Sequence, residues 1–233
     1  MAMRNLLALF LVCLTQACSP FDYSPPPETP EPMSVIHTPA LGWMEGPLHR
    51  CALDHPEIAL TVEERPAAAL DLEAAEVILE LGPAPAGPEG HATLLGWEQI
   101  VIIANPDIPA SQLELPDLQE IYTTLEPGYQ AWSYPERDEL RVLFDEFVME
   151  NKWLSPHTKI APGPSAMLTA IQGDTQAVGY IPQSWLTGEE NIQVIPMDEK
   201  TAASLRQPIV ALTSQEPDGS TRIFLACLTE GIP

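Results

Sequence analysis

Two short stretches hold most of the side chains equipped for chemistry. "HRCALDH" gathers His49, Cys51 and His55, and "YPERDELRVLF" gathers Glu136, Arg137, Asp138, Glu139 and Arg141. Imidazole and thiolate are metal ligands, but residues at i, i+2 and i+6 do not share one helix face, which argues against a metal. The second stretch offers carboxylates and guanidinium groups that can meet a polar ligand, without a nucleophile beside a base. Elsewhere there is no Gly-x-Ser-x-Gly elbow, no P-loop, no Rossmann glycine fingerprint and no His-Glu-x-x-His pair. The expectation is a protein that binds rather than catalyses, with no cofactor.

Charge narrows the partners. The 233 residues carry 33 acidic against 10 basic side chains, a formal net charge of -23, which repels the phosphates of nucleic acid and an anionic membrane surface. A hydrophobic fraction of 45% suffices for one domain of two lobes or for two small domains.

Residues 1–18 read as a targeting segment: Arg4 supplies a positive n-region, "LLALFLVCL" a short apolar run, and "TQAC" follows. Ala17 before Cys18 resembles the end of a bacterial lipobox, with Thr15 and Gln16 as imperfect matches. This implies a lipid on Cys18; an ordinary signal peptide cleaved nearby is the alternative. Either way the mature chain is expected outside the cytoplasm, as a membrane lipoprotein facing the periplasm or extracellular space if Cys18 is modified. Residues 19–33, with six prolines between Pro20 and Pro32, cannot pack a core and read as a disordered spacer between anchor and domain.

From Ser34 the pattern alternates. Strands are expected at "SVIHT", "EIALTVEE" and "AEVILELG", separated by a helix over 41–52 broken at Pro47 and a short helix at "PAAALDL". That order predicts a parallel sheet with right-handed crossovers. A long apolar stretch, "TLLGWEQIVIIAN", opens a second unit, with helices after Leu115, around Leu140 to Val148 and around Met167 to Ile171. "IQVIPM", "QPIVALT" and a helix through Ile223, Phe224, Cys227 and Leu228 are expected to complete the first sheet. The fold class is thus α/β, with two lobes of mixed or parallel sheet flanked by helices: lobe I over 34–97 and 190–233, lobe II over 98–189, joined by crossing strands.

"IVIIANPDIPASQLELPDLQEIY" resembles the segment of phosphate-type periplasmic solute-binding proteins, of the type II fold, in which the chain enters the second lobe. Asn105, Pro106, Pro109, Leu113, Leu115, Leu118, Ile121 and Tyr122 carry the likeness, joined by Trp132 in an "nW" turn and by "AVGYIP" over Ala177 to Pro182. The resemblance implies an anion held between lobes by helix N-termini, hydroxyls and an arginine. It places that arginine at Tyr134 and a Ser-Gly-Thr turn at Asp138, Glu139 and Leu140, so carboxylates stand where small donors belong. Arg137 and Arg141 are the possible compensating charges. On the first lobe "HTPALGWM" leaves Thr38 as the main hydroxyl and His37 as a possible donor. Arg65 after the second strand and Ser165 at a helix start complete the ligand-binding candidates, although a surface arginine and a capping serine are common structural roles.

Cys51 and Cys227 fall on apolar faces of helices that the topology assigns to one lobe, which in an exported protein suggests a disulfide, with two buried thiols as the alternative. The resemblance as a whole implies a lipid-anchored solute-binding protein that hands a small molecule, an anion in the family it resembles, to an ABC permease, with a degenerate anion-binding turn. The alternative is a non-transport module that senses a ligand or contacts another envelope protein. Phosphate binding is expected to be weak or absent, any natural ligand being neutral, cationic or an anion held mainly by Thr38 and the first-lobe backbone.

Overall fold

The computed structural model describes residues 29–84, 90–109, 113–124, 126–188 and 191–232. Residues 1–28, which include the targeting segment, Cys18 and most of the spacer, lie outside the described residues, as does Leu125. The first strand, β1 (Glu31–His37), starts inside the stretch read as spacer and already buries Met33. Alternation in "EPMSVIH" explains this: Met33 and Val35 point to the core that the later residues fill.

β1 pairs in parallel with β2 (Ile58–Glu64) on one side and β3 (Val77–Leu81) on the other. The first crossover contains a 3-10 turn (Pro39–Met44) leading into helix α1 (Glu45–Asp54). The break therefore falls between Met44 and Glu45. Pro47 lies in the first helical turn, where its missing N–H has no intrahelical partner to lose. The second crossover contains only the three-residue turn Ala67–Ala69 in place of the expected short helix.

β4 (His91–Ala104) is the longest strand and links the two halves. Its N-terminal part pairs antiparallel with β9 (Arg206–Thr213) as far as Gln99, with a bulge between Leu94 and Gly96. From Ile100 to Ala104 it pairs instead with β7 (Ala177–Pro182). β9 in turn pairs antiparallel with β3, so the sheet runs β2-β1-β3-β9-β4-β7 and continues through two short strands, β5 (Gln130–Ser133) and then β6 (Lys159–Ile160). The strand changes partner between Gln99 and Ile100.

The return differs. β8 (Gln193–Ile195) pairs with Ile102 to Ala104 of β4, so "IQVIPM" belongs to the second lobe rather than the first. A short helix, α5 (Glu199–Ser204), then leads into β9 and the closing helix α6 (Gly219–Gly231). Short apolar runs cannot name their own neighbours, which is why the sequence misassigned this one.

In the second lobe, β5 (Gln130–Ser133) pairs in parallel with β7 on one side and with β6 (Lys159–Ile160) on the other, with helices α2 (Leu115–Thr123), α3 (Glu139–Phe147) and α4 (Pro164–Gly173). All six residues of β7 are buried, as an apolar strand covered on both faces requires. Gly179 is there because α4 packs on it: a Cβ at that point would stand 2.5 Å from Met167 Sδ. Tyr122, Tyr134, Phe144 and Tyr180 form the centre of this core, Phe144 and Tyr180 stacked at 3.9 Å between ring centroids. Their hydroxyls stay satisfied; Tyr134 donates to Tyr180 O at 3.0 Å, and Tyr122 to Trp132 O at 2.9 Å.

Candidate functional site

The 3-10 turn after β1, α3 and α4 begin where the lobes face each other. In a cleft built for an anion, such starts aim unpaired N–H groups at the ligand. Here each is blunted. The first residue of the 3-10 turn is Pro39 and that of α4 is Pro164, so both lack the leading N–H. At α3 the cap is Asp138, whose carboxylate accepts from Leu140 N at 3.0 Å and takes up the donor itself.

Glu139, the first residue of α3, goes the other way. With Asp138 serving the helix, the Glu139 carboxyl crosses to the first lobe, where Oε1 meets the Thr38 hydroxyl and Oε2 accepts from Leu81 N at 3.2 Å. The two contacts span 101 and 58 residues of sequence and join α3 to the ends of β1 and β3. Thr38 is fully buried. Glu139 as a residue is half-buried, yet burial of the carboxyl pushes its pKa up to about 8 against the opposing hydrogen bonds from Thr38 and Leu81, and the nearby carboxyls of Asp138 and Glu80 push the same way. Asp138 is raised to about 6, again by burial, with Leu140 and Arg141 N–H groups opposing. No ion pair reaches Glu139 among the described residues.

The other sequence candidates scatter. His37 is buried at the end of β1, with Nδ1 2.9 Å from Thr38 O and Nε2 3.6 Å from Glu45. Arg65 turns along its own strand to Glu63 at 2.7 Å. Arg137 is exposed in the turn before α3. Arg141 pairs with Asp145 at 2.8 Å and borders a surface hollow with Glu136 and Trp153, away from Thr38. Tyr134, at the position where the resemblance puts an arginine, is a core residue with no exposed surface. The compensation expected of Arg137 and Arg141 is therefore not made.

Ser165 lines a hollow of about 380 Å³ between the lobes, walled by Pro39, Glu64, Pro162, Gly163, Pro164, Ala166 and Trp185. Trp185 comes from the turn after β7, and its indole N–H donates across to Ala40 O of the first lobe at 2.8 Å. Glu98, buried in β4 where it changes lobe, accepts from Ser184 N at 3.3 Å; burial raises its pKa. These contacts tie the turn after β7 to the first lobe and to β4. Sequence reasoning missed Trp185, Glu64 and the Leu81 N–H. It noticed Glu139 as a repulsive charge but not as a side chain long enough to reach across, although a Glu in place of a Gly in such a turn was the available signal.

Cys51 of α1 and Cys227 of α6 are joined by a disulfide, their Cα atoms 5.9 Å apart.

No family model matches the chain, and no curated protein matches it in sequence. Solved structures do match in fold. A phosphate ABC transporter substrate-binding protein of Clostridium perfringens with bound phosphate superposes with a TM-score of 0.72 at 17% identity, covering 85% of this chain and 93% of that one. An ABC-type phosphate transport receptor of Vibrio cholerae gives 0.63 at 18%, covering 84% and 93%. The CcmR regulatory domain of Synechocystis in complex with 2-PG gives 0.65 at 11%, covering 86% and 96%. The likeness spans transport receptors and regulatory domains alike, and what it shows is that the chain has the type II periplasmic-binding-like fold.

Proposed function

We propose that this chain is an exported, lipid-anchored binding-fold module that does not carry phosphate and that works by ligand sensing or contact within the cell envelope rather than as the substrate carrier of an importer. One observation carries this reading: the position where an anion would bridge the lobes is filled by the Glu139 carboxyl, held by Thr38 and Leu81 N. The carboxyl, held largely protonated, takes up both donors an anion would need, and the neighbouring Asp138 carboxylate, ionised above about pH 6, adds repulsion on the order of 4 kcal/mol to a phosphate at about 4 Å and an effective dielectric of 20. The prolines at two of the facing helix starts remove donors that could offset it.

Isothermal titration of the purified domain with phosphate and with sulfate is the test. No measurable heat of binding is expected, and a submicromolar Kd for either anion overturns the reading. A second reading, a solute-binding partner of an ABC permease, is favoured by the open hollow beside Ser165, Glu64 and Trp185. Its ligand would be neutral or cationic, and micromolar binding of such a solute, quenching Trp185 fluorescence, would favour it.

A further inference from the structure

We propose that the Glu139 carboxyl is a tethered pseudo-ligand, and that the Thr38 hydroxyl and Leu81 N–H beneath it form a small-acid site that accepts a free monocarboxylic acid once the tether is removed. The inference rests on the preceding view of the cleft and deepens it.

The geometry separates Glu139 from an ordinary helix-start carboxylate. Such a group normally folds back on its own N–H donors. Here Asp138 already serves Leu140 N, and both Glu139 oxygens are engaged by the other lobe. One hydroxyl and one backbone N–H address the two oxygens of one carboxyl group, which is the donor pattern a small carboxylic acid needs. A hydroxyl both donates and accepts, so Thr38 can serve either protonation state of that acid.

The surroundings select the ligand class. Every ionisable group known to act on the carboxyl from the packed elements is acidic: Asp138 on α3 and Glu80 on β3. Arg141, two residues further along the same helix, is engaged by Asp145 and Tyr134 O. A doubly charged phosphate is therefore excluded, whereas a compact monoacid that enters with a proton fits. Formate and acetate are the probes with the right size.

The experiment compares the purified wild-type domain with Glu139→Gly, Glu139→Gln and the double variant Glu139→Gly/Thr38→Val by thermal unfolding, with acetate, formate, phosphate or chloride at matched ionic strength and mildly acidic pH. Glu139→Gly should melt below wild type and recover on addition of acetate or formate, by about 3 °C when the acid stands about tenfold above its Kd. Phosphate and chloride should do nothing. Wild type and Glu139→Gln, whose site is filled, should not respond, and the double variant should lose the rescue. Should Glu139→Gly fail to fold alone, the readout becomes refolding yield with acetate against chloride, with Thr38→Val again abolishing the gain. Equal behaviour of Glu139→Gly in acetate and chloride, or rescue that survives Thr38→Val, overturns the proposal. Phosphate binding by the wild type would instead overturn the functional reading, so the two failures are distinct.

Discussion

Glu139 makes the same carboxyl both a structural link and a source of pH dependence. Its folded-state pKa of about 8 lies above the ordinary 4.5, so the folded protein holds this proton more tightly than the unfolded chain. The stability it contributes is complete below about 4.5 and is lost as pH rises to about 8, where the folded state ionises too. Asp138 acts in the same direction over a lower window, from 3.8 to about 6. The two are separable: between about pH 6 and 8 only Glu139 of this pair still contributes. The unfolding free energy from urea titration should therefore fall across that interval in wild type by an amount on the order of a few kcal/mol. In Glu139→Gln that part of the slope should vanish while the decline attributable to Asp138 below about 6 remains. An unchanged slope in the Gln variant would mean the carboxyl is ionised and solvated throughout. Asp138→Ala tests the division of labour from the other side: loss of the cap should cost about 1 kcal/mol without opening the Glu139 contact.

At the scale of elements, most of the fold was legible because its strands and helices have strong periods, and the exceptions share a cause. β1 to β4 and the faces of α2, α3 and α4 follow from where the apolar residues recur. Misjudged features depended on partners the sequence does not name: β8, expected in the first sheet, pairs with the second-lobe part of β4. The disulfide pairing was legible because only two cysteines remain after residue 18. The cleft was half legible, since Thr38 stood out as a hydroxyl while its partner was read only as a charge. The segment that docks Trp185 on the first lobe was not read at all, and it makes a sharp prediction. A Cβ on Gly42 would stand 2.9 Å from the Trp185 ring, which its bond to Ala40 O holds in place. Gly42→Ala should displace the ring, lower stability by about 1–3 kcal/mol and shift tryptophan emission, whereas a neutral effect on both would show that the turn carrying Trp185 is loosely held.

For the molecule as a whole, two ties act on different parts: the disulfide closes the first lobe on itself, and the proposed lipid fixes the domain to a membrane. The bridge between Cys51 and Cys227 spans 176 residues and should contribute about 2–4 kcal/mol, seen as a lower urea midpoint after reduction and as no thiol labelling of the unfolded, unreduced mature chain. The anchor can be tested against the charge. A chain of net charge -23 is repelled by anionic lipid, so the folded domain has no electrostatic means of staying on such a surface. If a lipid on Cys18 holds it, membrane association should survive a high-salt wash and be lost, or the precursor left unprocessed, in Cys18→Ser. Peripheral attachment through a protein partner would behave in the reverse manner, released by salt and indifferent to Cys18. Fractionation of cells expressing each form distinguishes the two, and full membrane retention of processed Cys18→Ser would remove the lipid from the proposal.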